Sequence, residues 1–478
     1  MNRHGPEMFL KTYTPGALGV LAAEAASALG GFVALYCLTN MLTKDDFGAY
    51  SFVFSVLIVL ATLATLGLDR TLLLKLAGEG KGADGFRGRT LLMAALSVSG
   101  PVSCVIALGL WLTAAPLADA MGSDVADWWL RALAVAIVPM SALMLLRAWF
   151  QANHRVVVSA VLPGVVDAVR AVLIVVAFLA VAGKPGVALA VIGGVALPVL
   201  ALFIWSRRGA AQGCDRIGSR DVSHGIVYAF QRISETGFNQ IDLILVGLLA
   251  TDAVTADFAV AARLAALVDT GRRAIVPTFL PRARLNLAEG NTGRLAEEYR
   301  MSQALAALAG VSACLVLVVA GPGILALFGS FEAAYLPLVL LSAAFLIGAA
   351  AGPHLPYLTM TGAVQWPALI RIGALLASAL GLVIVVPNNG AIGAAWVVLG
   401  VSCLMHGAAL LTLRAATRFW GMAAPLAGTV GGAVAGIVAL AAGLVPVWVA
   451  ALGLVAAGVA VGWPAVKRLG HSRAQNVS

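Results

Sequence analysis

Residues 28–60 read ALGGFVALYCLTNMLTKDDFGAYSFVFSVLIVL. Two apolar runs meet at one short polar turn, Thr43-Lys44-Asp45-Asp46. Crossing about 30 Å of hydrocarbon takes roughly 20 apolar residues in a helix. Each run is long enough, so the stretch reads as a helical hairpin in a membrane. Asp45 and Asp46 precede an apolar helix and read as its N-terminal cap, in preference to the acid of a membrane glycosyltransferase.

The same pattern recurs along the chain. Apolar stretches lie near residues 16–42, 47–74, 90–114, 128–148, 156–182, 186–206, 223–250, 253–271, 301–327, 333–361, 364–387, 390–413, 423–444 and 446–466. The expected fold is all-α: a polytopic membrane protein of about fourteen transmembrane helices. Composition agrees. Charged residues make up 11% of the 478 and apolar ones 61%, with mean hydropathy +0.96. Soluble domains carry about 25% charge. The first apolar run has no cleavage site after it, so it reads as an uncleaved anchor.

Loop charge sets the expected orientation, because Lys and Arg are retained on the cytoplasmic side. With the N-terminus inside, the inner segments hold Arg3 and Lys11, then Lys75, Lys81, Arg87 and Arg89, then Arg147 and Arg155. They continue with Arg207, Arg208, Arg216 and Arg220, then Arg272, Arg273, Arg282, Arg284, Arg294 and Arg300. Arg414 and Arg418, then Lys467, Arg468 and Arg473, complete the set. Outer loops hold Lys44 and Lys184 alone. Both termini are therefore expected in the cytoplasm. The excess of Lys and Arg (31) over Asp and Glu (22) sits between membrane spans, which excludes a nucleic-acid reading. The inner link at 361–364 is uncharged and leaves that crossing untested. Cys37, Cys104, Cys214, Cys314 and Cys403 form no CxxC pair, so neither a disulfide framework nor a zinc site is indicated.

A faint repeat aligns Thr43–Tyr50 with Thr251–Phe258 and sets Glu24 opposite Arg232. It divides the chain into an N-lobe (1–210, helices 1–6), a C-lobe (220–415, helices 7–12), two further helices (420–466) and a tail (467–478). Six helices per repeat would make the lobes parallel.

Charge inside the spans marks candidate sites, since an Arg at the bilayer centre costs about 2.5–3.5 kcal/mol. Arg170, Arg232, Arg263 and Arg371 lie well inside, while Arg70 is nearer the inner end and Arg131 nearer the outer. Tyr228, Arg232, Glu235, Asn239 and Asp242 share one helix face. That stripe either lines a polar cavity or forms an ion-pair ladder between helices. Asp167 and Arg170 stand at i,i+3 and can neutralise each other. Arg263 has no carboxylate at i±3 or i±4 and is the leading anion-binding candidate. Arg371 also lacks one but can snorkel to the inner surface. Glu24, Glu235 and Asp242 are candidates for ion coupling. His354 and His406 read as packed, hydrogen-bonded residues.

Kinks are expected at Pro139, Pro163, Pro198, Pro277, Pro281, Pro353 and Pro356. Gly428, Gly432 and Gly436 form a small-residue face, either for close helix packing or as a groove for a lipid tail. The chain has no P-loop, HExxH or GxSxG, and its longest outer loop, about 115–127, holds no catalytic domain. No cofactor is called for.

The run Leu42-Thr43-Lys44-Asp45-Asp46-Phe47-Gly48-Ala49-Tyr50 resembles a turn of the Wzx-type polysaccharide flippases. Asp242–Gly247 and Phe258–Leu264 are similar to their seventh and eighth helices. Pro387-Asn388-Asn389-Gly390-Ala391-Ile392-Gly393-Ala394-Ala395 resembles a further turn of theirs. The resemblance covers roughly residues 15–415 and places the chain with the MATE-like MOP superfamily. It implies two six-helix lobes in a V around a central cavity. It also implies alternating access that carries an undecaprenyl-diphosphate-linked oligosaccharide to the outer leaflet. Implied partners are the polyprenyl-diphosphate-linked glycan, membrane lipid and a polysaccharide polymerase. The competing readings are a cation-coupled drug exporter, a lipid II flippase, a polymerase or ligase, and a structural scaffold.

Overall fold

A computed structural model describes residues 15–77, 88–153, 156–206, 219–360, 365–417 and 424–474. The links at 78–87, 207–218, 361–364 and 418–423, which include Cys214 and the uncharged inner link, lie outside the described residues. Helices dominate, and no strand occurs among the described residues.

In chain order they are α1 (Pro15–Met41), α2 (Lys44–Ala64), α3 (Leu68–Ala77), α4 (Arg89–Leu112), α5 (Ala114–Met121), α6 (Ala126–Ala134), α7 (Ile137–Ala152), α8 (Val156–Leu179) and α9 (Gly183–Ser206). Then follow α10 (Ser219–Leu249), α11 (Asp252–Ala265), α12 (Thr270–Ala288), α13 (Thr292–Leu327), α14 (Tyr335–Ala351), α15 (His354–Met360), α16 (Gln365–Thr417), α17 (Ala424–Ala441) and α18 (Val447–Ala474). Among the described residues, seven helices are long and apolar enough to cross a membrane, or eight with α6 and α7 taken as one bent span. Leu, Val and Ile side chains stand exposed along α4, α8, α9 and α16. Hydrocarbon, unlike water, solvates such faces without penalty. The chain is a multi-pass membrane protein.

Several expected spans are broken, two beside an expected proline and one without any. Leu66 and Gly67 take left-handed φ of 50° and 71°, which splits the 47–74 stretch into α2 and α3. The 128–148 stretch bends by 49° between α6 and α7, just before Pro139. Part of the expected 115–127 loop is helical as α5, ended by left-handed Gly122. Pro163 and Pro198 instead sit inside continuous helices. α14 stops at Gly352, next to Pro353, and α16 is broken at Gly390 (φ 53°, ψ −139°), where the spans expected at 364–387 and 390–413 meet. Gly390 lies in the quoted Pro387–Ala395 turn. Gly436 approaches the Ala450 backbone, whereas Gly428 and Gly432 face open space.

The helices group into two compact units. One is Ala22–Ala256; the other is Met1–Leu21 with Asp257–Ser478. Packing thus places α10 with the preceding helices, while the repeat sets the boundary earlier, at 210–220. In the first unit Leu68, Leu72, Leu91, Leu92, Leu145, Trp149 and Phe150 form a core joining α3, α4 and α7. α10 lies along α2, with Gly247 set against Phe52. In the second unit α14 is buried on nearly every side, packed by α13, α16 and α17.

Candidate functional site

The sequence repeat survives as local geometry. Thr43 caps α2 by accepting the Asp46 amide at 3.2 Å, and Thr251 caps α11 by accepting the Val254 amide at 3.4 Å. Asp46 is not the cap itself but its reciprocal partner, accepting the Thr43 hydroxyl at 2.7 Å. The same buried carboxylate accepts Trp129 Nε1 at 3.3 Å and pairs with Lys184 at 2.6 Å. Lys184, in the first turn of α9, thereby neutralises a buried acid. Three partner residues leave Asp46 engaged as a structural hub. Nearby, Ser123 donates to Asp252. Burial pushes the Asp252 carboxyl above the usual carboxylate range. The Ser123 hydrogen bond opposes this, and Asp45, Asp46 and Asp124 reinforce it.

Inside the first unit two guanidinium groups are held by carboxylates. Arg170 bonds Asp167 at 2.7 Å, and Ser27 donates to the other oxygen of Asp167 at 2.7 Å. The guanidinium lies over the Phe54 ring at 5.2 Å. Gly194 of α9 passes against the Arg170 stem, where a Cβ would collide. This is the mutual neutralisation expected from the i,i+3 spacing.

Arg232 is held more loosely. It faces Glu235 at 3.6 Å and Asp69 of α3 at 3.8 Å. Both distances exceed hydrogen-bonding range. Arg232 Nε and Asp69 Oδ1 are buried without a hydrogen-bond partner. One cation thus stands between two carboxylates without a closed bond to either. One turn on, the Thr236 and Thr62 hydroxyls are 3.5 Å apart. Asn239 is exposed and Asp242 half-buried on the same continuous helix. The side chains of Glu24 and Tyr228 lie outside the described residues. Arg263 on α11 and Arg371 on α16 belong to the second unit, each half-buried.

Asp69, Ser27 and Phe54 were not legible as site residues. Asp69 had one signal: it is an acid inside the 47–74 apolar stretch, beside Arg70.

The sequence model of the family described as "Polysaccharide biosynthesis protein" matches residues 16–282. The chain belongs to this family. No curated protein sequence matches it. Among solved structures, the lipid II flippase MurJ in an inward closed conformation superposes with a TM-score of 0.73 at 9% identity, covering 95% of this chain and 99% of that one. An inward-facing multidrug resistance MATE transporter of the MOP superfamily gives 0.62 at 13% identity, with 84% and 99% covered. A MOP superfamily transporter from Pyrococcus furiosus, described as having a binding pocket of reverse polarity, gives 0.62 at 14% identity, with 87% and 96% covered. This member of the polysaccharide biosynthesis family therefore has the MOP superfamily fold.

Proposed function

We propose that this protein carries an undecaprenyl-diphosphate-linked oligosaccharide from the cytoplasmic to the periplasmic leaflet of a bacterial inner membrane, by alternating access. The glycan would feed cell-surface polysaccharide assembly, handed on to a polymerase. The observation that carries this reading is the family match, supported by a helical bundle whose long helices carry Arg170 and Arg232 within their length. A diphosphate needs such cations once it leaves water. Arg232 is suited to the task, because neither carboxylate holds it at hydrogen-bond distance. A phosphate oxygen can replace them at little loss.

In this reading Arg263, Arg232, Arg170, Arg371, Asn239 and Tyr228 contact substrate, and Glu24, Glu235 and Asp242 are candidates for ion coupling. The chain acts as a transporter and not an enzyme. It crosses about fourteen times with both ends cytoplasmic, as two six-helix lobes (1–210 and 220–415) followed by helices in 420–466.

The test is deletion, followed by locating the lipid-linked oligosaccharide. Complete units accumulating in the inner leaflet support the proposal. Flipped but unpolymerised units point to an enzyme of assembly and refute it. A second reading, transport of lipid II, draws on the superposition with MurJ. It predicts that depletion halts cell-wall synthesis and leaves oligosaccharide export intact.

A further inference from the structure

The second unit holds a buried polar cluster at the break between α14 and α15. Gly352 (φ 69°, ψ −150°) ends α14, and the break frees carbonyls that hydrocarbon cannot solvate. α13 supplies two partners: the Tyr299 hydroxyl donates to Ala351 O at 2.9 Å, and Gln303 Nε2 to Ala350 O at 2.8 Å. Gln303 Oε1 is buried with no hydrogen-bond partner. His354 Nδ1 lies 2.9 Å from Gly352 O, and His406 Nδ1 of α16 lies 3.0 Å from His354 Nε2.

Donor logic assigns the protons. A carbonyl only accepts, so His354 Nδ1 carries a hydrogen. The contact between the rings needs one hydrogen more, supplied from either side. With both rings neutral, His406 donates and its Nε2 holds a lone pair. One added proton leaves both bonds intact: either His406 is charged at Nε2, or His354 donates and His406 carries its hydrogen on Nε2. The arrangement accommodates zero or one extra proton without losing a contact. Gly348 is needed here, because a Cβ would stand 3.0 Å from His406 Nε2.

Two opposing fields act on such a proton. The C-terminal end of α14 favours a cation. Arg272 of α12 disfavours one: its charge bears on both rings, while Asp269 holds it at 2.6 and 2.7 Å. Titratable groups on the elements packed here include Asp269 beside Arg272, Tyr299 of α13, Tyr357 of α15 and Cys403, three residues before His406 on α16, while α17 carries none.

We propose that His354 and His406 form a site for one shared proton, which the like charge of Arg272 opposes and which the neutralisation or withdrawal of that charge favours. An anion drawn to Arg272 would have that effect, so proton and anionic substrate would bind cooperatively. This last step rests on the flippase reading; the proton site does not.

The test uses the full chain in lipid nanodiscs with 15N-labelled histidine, titrated from about pH 8 to about pH 5. In Arg272→Gln the two rings should take up one proton together, nearer neutral pH than in the wild type. His406→Gln keeps a donor to His354 Nε2 but holds no proton, and should abolish the shared step in the Arg272→Gln background. His354→Asn should abolish it too, which guards against misfolding of one variant. Rings that stay neutral throughout in both wild type and Arg272→Gln would overturn the proposal. So would two independent titrations. In proteoliposomes, His406→Gln should lose acceleration by a pH gradient. If wild type moves no lipid-linked glycan at all, the flippase reading fails while the titration result stands.

Discussion

Gly48→Ala isolates the contact between the two capped helix ends. Gly48 lies in the second turn of α2 and points at the backbone of α11. A Cβ there would overlap the carbonyl oxygen of Asp252, with Asp252 C at 2.7 Å and Ala256 N at 3.2 Å. These are backbone atoms, so no rotamer change relieves the clash. Alanine in an open helical position gains about 0.5–1 kcal/mol over glycine. Overpacking costs about 1–3 kcal/mol, and the upper part of that range applies to a rigid neighbour. Displacing Asp252 also disturbs its bond from Ser123, worth about 1 kcal/mol. The expected net loss is about 2 kcal/mol. Thermal unfolding of purified protein, followed by tryptophan fluorescence, reads it directly, since Trp129 donates to Asp46 in the same cluster. A Gly48→Ala protein as stable as the wild type, or more so, would refute the close approach.

Gly237, with nothing within 4 Å of a built Cβ, is the contrasting case: Gly237→Ala should stabilise by about 0.5–1 kcal/mol in the same unfolding measurement. Asp252 yields a pH prediction. Its carboxyl is raised in the folded state by burial, so its contribution is complete below the unfolded value near 3.9 and is lost as pH rises through the folded value. Wild type should therefore gain more stability than Asp252→Asn on acidification from about pH 7 to about pH 4; a stability difference that ignores pH would reject this. Asp69→Asn removes one of the two carboxylates facing Arg232. It should cost about 1–2 kcal/mol, less than the 3–5 of a tight buried pair, because Glu235 remains at 3.6 Å; a double-mutant cycle with Arg232→Gln measures the coupling. Arg263→Ala should abolish glycan export while the protein still inserts, and Arg263→Lys separates charge from guanidinium geometry. Full export by Arg263→Ala would remove that residue from the site.

Much of this was legible in the chain. Long apolar runs had to become helices, because hydrocarbon offers the backbone no other partner. The polar turn at Thr43–Asp46 announced a helix start, though its cap is Thr43 and not the expected Asp45 or Asp46. The i,i+3 pairs Asp167–Arg170 and Arg232–Glu235 needed only a helical period to be found. Even the departure between the repeats gains a reason. Gly48 faces the Asp252 backbone, and at the equivalent position in the repeat stands Ala256.

The sequence by itself determined the membrane class, the helical content, the capped turns and the partners within one helix. Tertiary structure alone decided which distant groups meet: Asp69 with Arg232, Lys184 with Asp46, His354 with His406. It also decided the break at Leu66–Gly67, inside one apolar stretch with no proline to announce it. The physical reason is the near-uniformity of the helix surfaces. In a bilayer an outward Leu and an inward Leu are equally well solvated, so apolar pattern does not select neighbours. Shape and a few buried polar groups do, and those act only once the helices are side by side.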